Sequence, residues 1–173
     1  PNYVAFRHLG WSAAELMVQD VDKVAEQLAD SPFKIIGPPA DLSFSDKIRA
    51  MQVLGPAKES LYLTHFKERL PEFDTPEPKH FIDRTFITIV GAMTLAGQSF
   101  IEADEMPKGT LPRESQTELP TAIAMISFGV EKLPDSIDSW LAPAQTLAAP
   151  PYHGRRARVC VGAAGEWLEL IER

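Results

Sequence analysis

The chain has 173 residues, a formal charge of −7, 45% apolar residues and 24% charged residues, the balance of a globular protein with one sizeable core or two small ones. That acidity excludes the basic stripe a nucleic-acid binder needs, and no apolar run approaches the ~20 residues of a membrane span. The start, PNYVAFRHLG, lacks an apolar secretory core, and a single cysteine, Cys160, excludes intramolecular disulfides and thiolate metal clusters, so a cytoplasmic protein is expected.

AAELMVQDVDKVAEQLADSPF (13–33) reads as strand, turn and helix. Asp20 serves as N-cap, and Val21, Val24, Ala25 and Leu28 form one helical stripe. A short strand with the step Pro38-Pro39 follows. RAMQVLGPAKESLYL (49–63) is a hairpin: strand, glycine turn, strand. ERLPEFDTPEPKH (68–80) is a charged, Pro-rich linker. RTFITIVGAM (84–93) is a strand, and SFIEADE (99–105) is another. No helix separates them, so this stretch is either reduced to a hairpin or short of residues around Ala92–Leu95. PKGTLPRESQTELP (107–120) is a second linker. TAIAMISFGVEKLPDSIDSWLAP (121–143) repeats the order strand then helix, with Ile137, Trp140 and Leu141 as the stripe, and Pro150-Pro151 follows. RARVCVGAAGEWLEL (156–170) is the last hairpin, where Cys160 reads as a buried strand residue.

The two hairpins align without a gap, with seven of fifteen positions identical. Arg49 matches Arg156, Gly55 matches Gly162, and Glu59 matches Glu166. Leu61 and Leu63 match Leu168 and Leu170. The fold class expected is α+β, from repeated βαβββ modules: a first module at 1–67, a linker at 68–83, an incomplete middle module at 84–106, a linker at 107–118 and a last module at 119–173.

In the closing strand GEWLELIER, alternation puts Trp167, Glu169 and Ile171 on one face. A carboxylate among large apolar groups needs compensation, because a buried unpaired charge costs several kcal/mol. One reading gives that role to a metal or a polar ligand group. The other gives it to an arginine such as Arg156 or Arg158, or to a wet sheet edge.

The repeat, with ELMVQDVDKVAEQL, IRAMQVLGPAKESLYLT and PPYHGRRARVCVGAAGEWLELIE as its most specific segments, resembles the vicinal oxygen chelate superfamily. That superfamily includes glyoxalase I, extradiol dioxygenases and drug-resistance proteins, and the chain looks most like a bacterial two-domain glyoxalase-like group. The resemblance implies that mixed sheets of paired modules curl into a cleft. It implies a divalent metal there (Mg, Mn, Fe, Ni or Zn), with ligands on the first and last strands of each module. Glu169 and Glu102 match the last-strand ligand position, as metal ligands and catalytic groups, and Tyr62 stands there in the first module. The matching first-strand region holds Met125 in the last module, Thr85 in the middle one, and Ala13 with Glu15 two places on in the first. None is the imidazole often found there. Two carboxylates alone hold Mg²⁺ or Mn²⁺ loosely.

Of the four histidines, His8, His65 and His80 read as surface or strand-end residues. His153 sits beside Tyr152, Arg155 and Arg156 in a loop that could border the cleft, and Arg156 with Arg155 could hold a carboxylate or phosphate. The match of Arg156 to Arg49 also suits a structural role. Tyr62, Phe100 and Trp167 share the parity of Glu102 and Glu169. They suit the wall of a ligand cleft or a packed sheet core.

Two functions follow. One is an enzyme acting on a small oxygenated or aromatic metabolite, as a lyase, isomerase or dioxygenase. The other is a non-catalytic small-molecule binder on the same fold. A third, structural reading has the chain closing a cleft with a missing N-terminal module or a second copy, since an odd module count exposes a concave face. A homodimer or such pairing is expected in any of these.

Overall fold

The structure is a computed structural model that describes residues 8–70, 88–95, 99–112 and 122–173. Its elements are β1 (Ala13–Met17), α1 (Val21–Leu28), β2 (Lys34–Leu42), β3 (Ser45–Leu54), β4 (Ser60–Phe66), β5 (Thr88–Thr94), β6 (Phe100–Glu105), β7 (Met125–Val130), β8 (Gln145–Leu147), β9 (Arg155–Val161) and β10 (Trp167–Glu172). They form a mixed α+β fold, mostly strand. One four-stranded sheet has the order β1-β4-β3-β2, another has β7-β10-β9-β8, and β5 pairs with β6. The two larger sheets thus repeat one strand order. Among the described residues, no helix is long and apolar enough to cross a membrane.

The chain divides into two compact units. Pro1–Ala13, Gly55–Ser60 and Leu111–Arg173 form one, and Ala14–Leu54 with Leu61–Thr110 form the other. The second unit holds the helix-packed core. Asp20 caps α1, its side chain accepting from the Lys23 N–H at 3.1 Å. Val21 is wholly buried with Met51, Val53 and Leu63, and Val24, Ala25, Leu28, Ile35 and Leu61 pack around them. Arg49 clasps this layer from outside. It donates to Asp22 in the first turn of α1 at 2.7 and 2.8 Å and to Asp41 on β2 at 3.3 Å. Its guanidinium holds the Asp22 carboxyl below the usual range, and Lys67, with Arg49, does the same for Asp41. The Pro38-Pro39 step lies inside β2, where the pairing with β3 shifts register between Gly37 and Ala40. Proline has no N–H for the ladder, so irregular pairing is what this step demands.

In the first unit, β10 is the central strand, parallel to β7 and antiparallel to β9. The helix expected in the last module, with Ile137, Trp140 and Leu141 as its stripe, is absent. Only eight residues (131–138) separate the end of β7 from the chain's return to the sheet, where β1 and β2 have sixteen (18–33) between them. Pro134 interrupts those eight. Residues 139–141 instead run antiparallel to β9. Val161 donates to the Ser139 carbonyl at 3.1 Å, Leu141 donates to that of Val159 at 3.0 Å, and Trp140 bridges Cys160. The two copies therefore share strand order without sharing strand-then-helix order. The Pro-Pro steps also differ: Pro150-Pro151 lies in the turn between β8 and β9.

The middle stretch is a two-stranded antiparallel pair, β5 with β6, irregular between Ile89 and Gly91. Residues 84–87, and with them Thr85, lie outside the described residues, as do His80 and most of both linkers.

The hairpin turns explain the identities in the repeat. Gly55 and Gly162 donate to the carbonyls of Glu59 and Glu166 at 2.8 and 2.7 Å, and Lys58 and Gly165 donate back to Gly55 and Gly162 at 2.9 and 3.0 Å. Lys58 and Gly165 both have positive φ, 67° and 79°. The Glu59 and Glu166 carboxylates then fold over the glycines. A Cβ on Gly55 would stand 1.9 Å from Glu59 Oε1, and one on Gly162 would stand 2.0 Å from Glu166 Oε1. Glu166 Oε2 also accepts from Ala164 N at 2.9 Å. Gly162→Ala must push this carboxylate out and lose that bond. Denaturant melts should show a loss of about 1–2 kcal/mol, and most of the loss should vanish when the change is made in a Glu166→Ala background.

Candidate functional site

Glu169 lies in the middle of β10, directly opposite Ser127 on β7 and Val159 on β9. Its residue surface is only 5% exposed. Two neutral hydroxyls hold it. Ser127 Oγ donates to Oε2 at 2.5 Å, and Tyr152 OH donates to Oε1 at 2.8 Å. Register alone delivers Ser127, because same-face residues on neighbouring strands stand side by side. Tyr152 arrives from the β8–β9 loop. That loop is pinned by Tyr152 N to the Ala149 carbonyl at 2.9 Å and Gly154 N to that of Leu147 at 2.9 Å. Arg155 braces it from within, Nε donating to the Tyr152 carbonyl at 2.7 Å and a terminal nitrogen to that of Pro151. His153 and Gly154 turn the chain with positive φ, 52° and 83°.

The expected arginine partners of Glu169 are engaged elsewhere. Arg156 faces Glu172 at 3.4 Å. Arg158 stacks over the Trp140 ring, 4.2 Å to its centroid, and donates to the Ala142 carbonyl at 2.7 Å. Arg156 and Arg49 occupy matched positions but hold unrelated partners. His153 is exposed in its turn. Arg155 and Arg156 hold separate partners, Arg155 the carbonyls of its own loop and Arg156 the Glu172 carboxylate. Burial first, and Glu166 second, push the Cys160 thiol up, which suits an inert buried cysteine.

Trp167 and Met125 are paired in register and share the Glu169–Ser127 face. The Trp167 carbonyl accepts from Trp11 Nε1 at 2.8 Å, and Trp11 stacks at a tilt on Phe128, centroids 6.1 Å apart. In the other unit, Tyr62 lies between Leu61 and Leu63, which pack with the helix core, so alternation turns it to the opposite face. There it accepts from Gln52 Nε2 at 3.1 Å. Glu15 on β1 accepts from Thr64 Oγ1 at 2.7 Å. Phe100 opens β6, and its side chain lies outside the described residues.

Glu102 belongs to that same second unit, whereas Glu169 belongs to the first. Glu102 is pushed up to about 7, chiefly because surrounding protein shields it from water, and further by Asp104 and Glu15. The side chain nonetheless keeps an exposed surface, and solvent there tempers the shift. Burial raises Asp104 as well, and its Oδ1 has no hydrogen-bond partner among the described residues.

A divalent metal is what the resemblance would place on Glu169. The donor set is a poor one for it: beside the single carboxylate stand two neutral hydroxyls, Ser127 and Tyr152, and neither is an imidazole or a carboxylate. Among the described residues, no group of three or more His, Cys, Asp or Glu side chains is arranged to hold a metal ion. Ser127 and Tyr152 are the residues that sequence reasoning passed over as partners of Glu169. Ser127 lies two places beyond Met125 on the same strand parity, which was the available signal. Compared with known proteins, the chain matches no family model and no curated protein.

The hydrogen bond to Glu169 first, and burial second, raise the Tyr152 pKa. An acid with a raised folded pKa stabilises the fold fully below its unfolded value, near 10, and that contribution is lost as pH rises through the folded value. Tyr152→Phe should cost about 1.5–3 kcal/mol at neutral pH, the worth of a hydrogen bond to a charged group, and should flatten the alkaline loss of stability in pH-dependent urea melts.

Glu102 follows the same sign at lower pH. Its contribution favours folding most below about 4.5 and is lost as pH rises through about 7. Glu102→Gln should therefore gain stability relative to the parent protein at pH 8 but not at pH 4, measured by the same melts.

Proposed function

We propose that this chain is a small-molecule-binding protein of the glyoxalase-like superfamily, working without a metal on Glu169. The observation that carries this reading is that each oxygen of the carboxylate accepts from a neutral hydroxyl. At the strand position where the resemblance calls for a metal ligand, Glu169 instead ties β7 and the β8–β9 loop to β10. With both its oxygens accepting from hydroxyls, Glu169 serves as a tie between strand and loop, which supports binding over Lewis-acid chemistry at this carboxylate. The repeated strand order of the two larger sheets supports the superfamily. Trp167, Met125 and Ser127, on the Glu169 face of the sheet, offer the mixed apolar and polar wall a small organic ligand needs.

One observation favours the enzymatic reading instead: Glu102, raised to about 7, is poised as a proton-transfer group at neutral pH. Metal analysis of the purified protein, combined with a thermal-shift screen of small oxygenated and aromatic compounds, separates the two. The binding reading expects compounds that raise the Tm equally before and after treatment with a chelator. A stoichiometric divalent metal whose removal abolishes every ligand response overturns it.

A further inference from the structure

The hydrogens around Glu169 define what can approach it. Ser127 and Tyr152 each have one hydroxyl hydrogen, and both are spent on the carboxylate. What remains is lone pairs: those of Ser127 Oγ, of the Tyr152 oxygen, and the unused pairs of the carboxylate. Such a cluster accepts and cannot donate. A ligand carbonyl, carboxylate or phosphate finds no hydrogen there, whereas an N–H donor finds several acceptors.

Charge points the same way. Glu169 is buried, and its partners among the described residues are neutral. Of the arginines near it in sequence, Arg155, Arg156 and Arg158 are turned to carbonyls, to Glu172 and to Trp140, and Arg173 lies over Gly129, two residues along β7 from Ser127. A cation arriving at Ser127, which is exposed, would supply the missing charge through charge-assisted hydrogen bonds. One two-residue step along the same face stand Trp167 and Met125, both half-buried and paired with each other. That step is about 7 Å. It sets an apolar, aromatic surface beside the acceptor cluster at the span of a ring joined by two carbons to an amine.

We propose that Ser127, Tyr152 and Glu169 bind the protonated amino group of an arylalkylammonium ligand whose ring rests against Trp167 and Met125. This rests on the binding reading above and names its ligand class.

The test uses two probes of matched shape, 2-phenylethylammonium chloride and 2-phenylethanol, titrated into the intact protein by calorimetry. Ionic strength near 0.15 M suppresses diffuse attraction of a cation to an acidic protein. The ammonium probe should bind at least tenfold more tightly than the alcohol. Glu169→Gln should erase that preference. Ser127→Ala removes one of the two donors to Glu169 and is read on protein that a thermal melt shows to be folded; it should weaken the ammonium severalfold while leaving the alcohol unchanged. Equal affinity of the two probes overturns the proposal, as does a preference that survives Glu169→Gln and vanishes in Glu102→Gln. Failure of both probes, while other aromatic compounds raise the Tm, overturns the proposal and leaves the binding reading standing. Tight binding of Mn²⁺ alone, lost in Glu169→Gln, overturns both.

Discussion

A carboxylate placed in the middle of a central strand has to be satisfied before the sheet around it can close, and among the described residues two hydroxyls satisfy Glu169. The rest of the last sheet is arranged around that requirement. Parallel register brings Ser127 alongside on β7. A turned, internally braced loop between β8 and β9 brings Tyr152 over the strand. Removing either donor leaves a charge at a site that is 5% exposed with half its support, and burying an unsupported charge is among the more costly single changes a fold can suffer. Structure and recognition are linked here. The bonds that make the carboxylate tolerable also consume the hydroxyl hydrogens of Ser127 and Tyr152, which leaves acceptors there.

Much of the architecture was legible in the residues. The Gly55–Glu59 and Gly162–Glu166 pairs repeat because each turn lays a carboxylate over a glycine, a contact any Cβ would obstruct. The α1 stripe and its Asp20 cap are local features, and local features are what periodicity reports. The last module misled because Ile137, Trp140 and Leu141 have helical spacing although their backbone pairs with β9. Only the eight-residue length of the connection and Pro134 spoke against a helix, and chain length between elements is judged well only once the strand ends are known.

The site was less legible. Alternation put Glu169 on its face, but nothing local linked it to Tyr152 seventeen residues away or to Ser127 across the sheet. Arg156 and Arg158 were reasonable partners by charge, yet β-strand parity places both on the face opposite Glu169, where Glu172 and Trp140 engage them. The matched pair Arg49 and Arg156 shows how a repeat keeps a residue while its partners diverge. Arg49 closes the helix layer against Asp22, and the last module has no helix for Arg156 to close.

The central claim is that Glu169 is held by hydroxyls and is not a metal ligand. A crystal structure of the protein grown with Mn²⁺, with anomalous scattering recorded, tests it most directly. The account predicts no anomalous peak at the carboxylate, with Ser127 Oγ and Tyr152 OH within hydrogen-bond distance of its two oxygens. A manganese peak in bonding contact with Glu169, with Tyr152 displaced from it, would contradict the account.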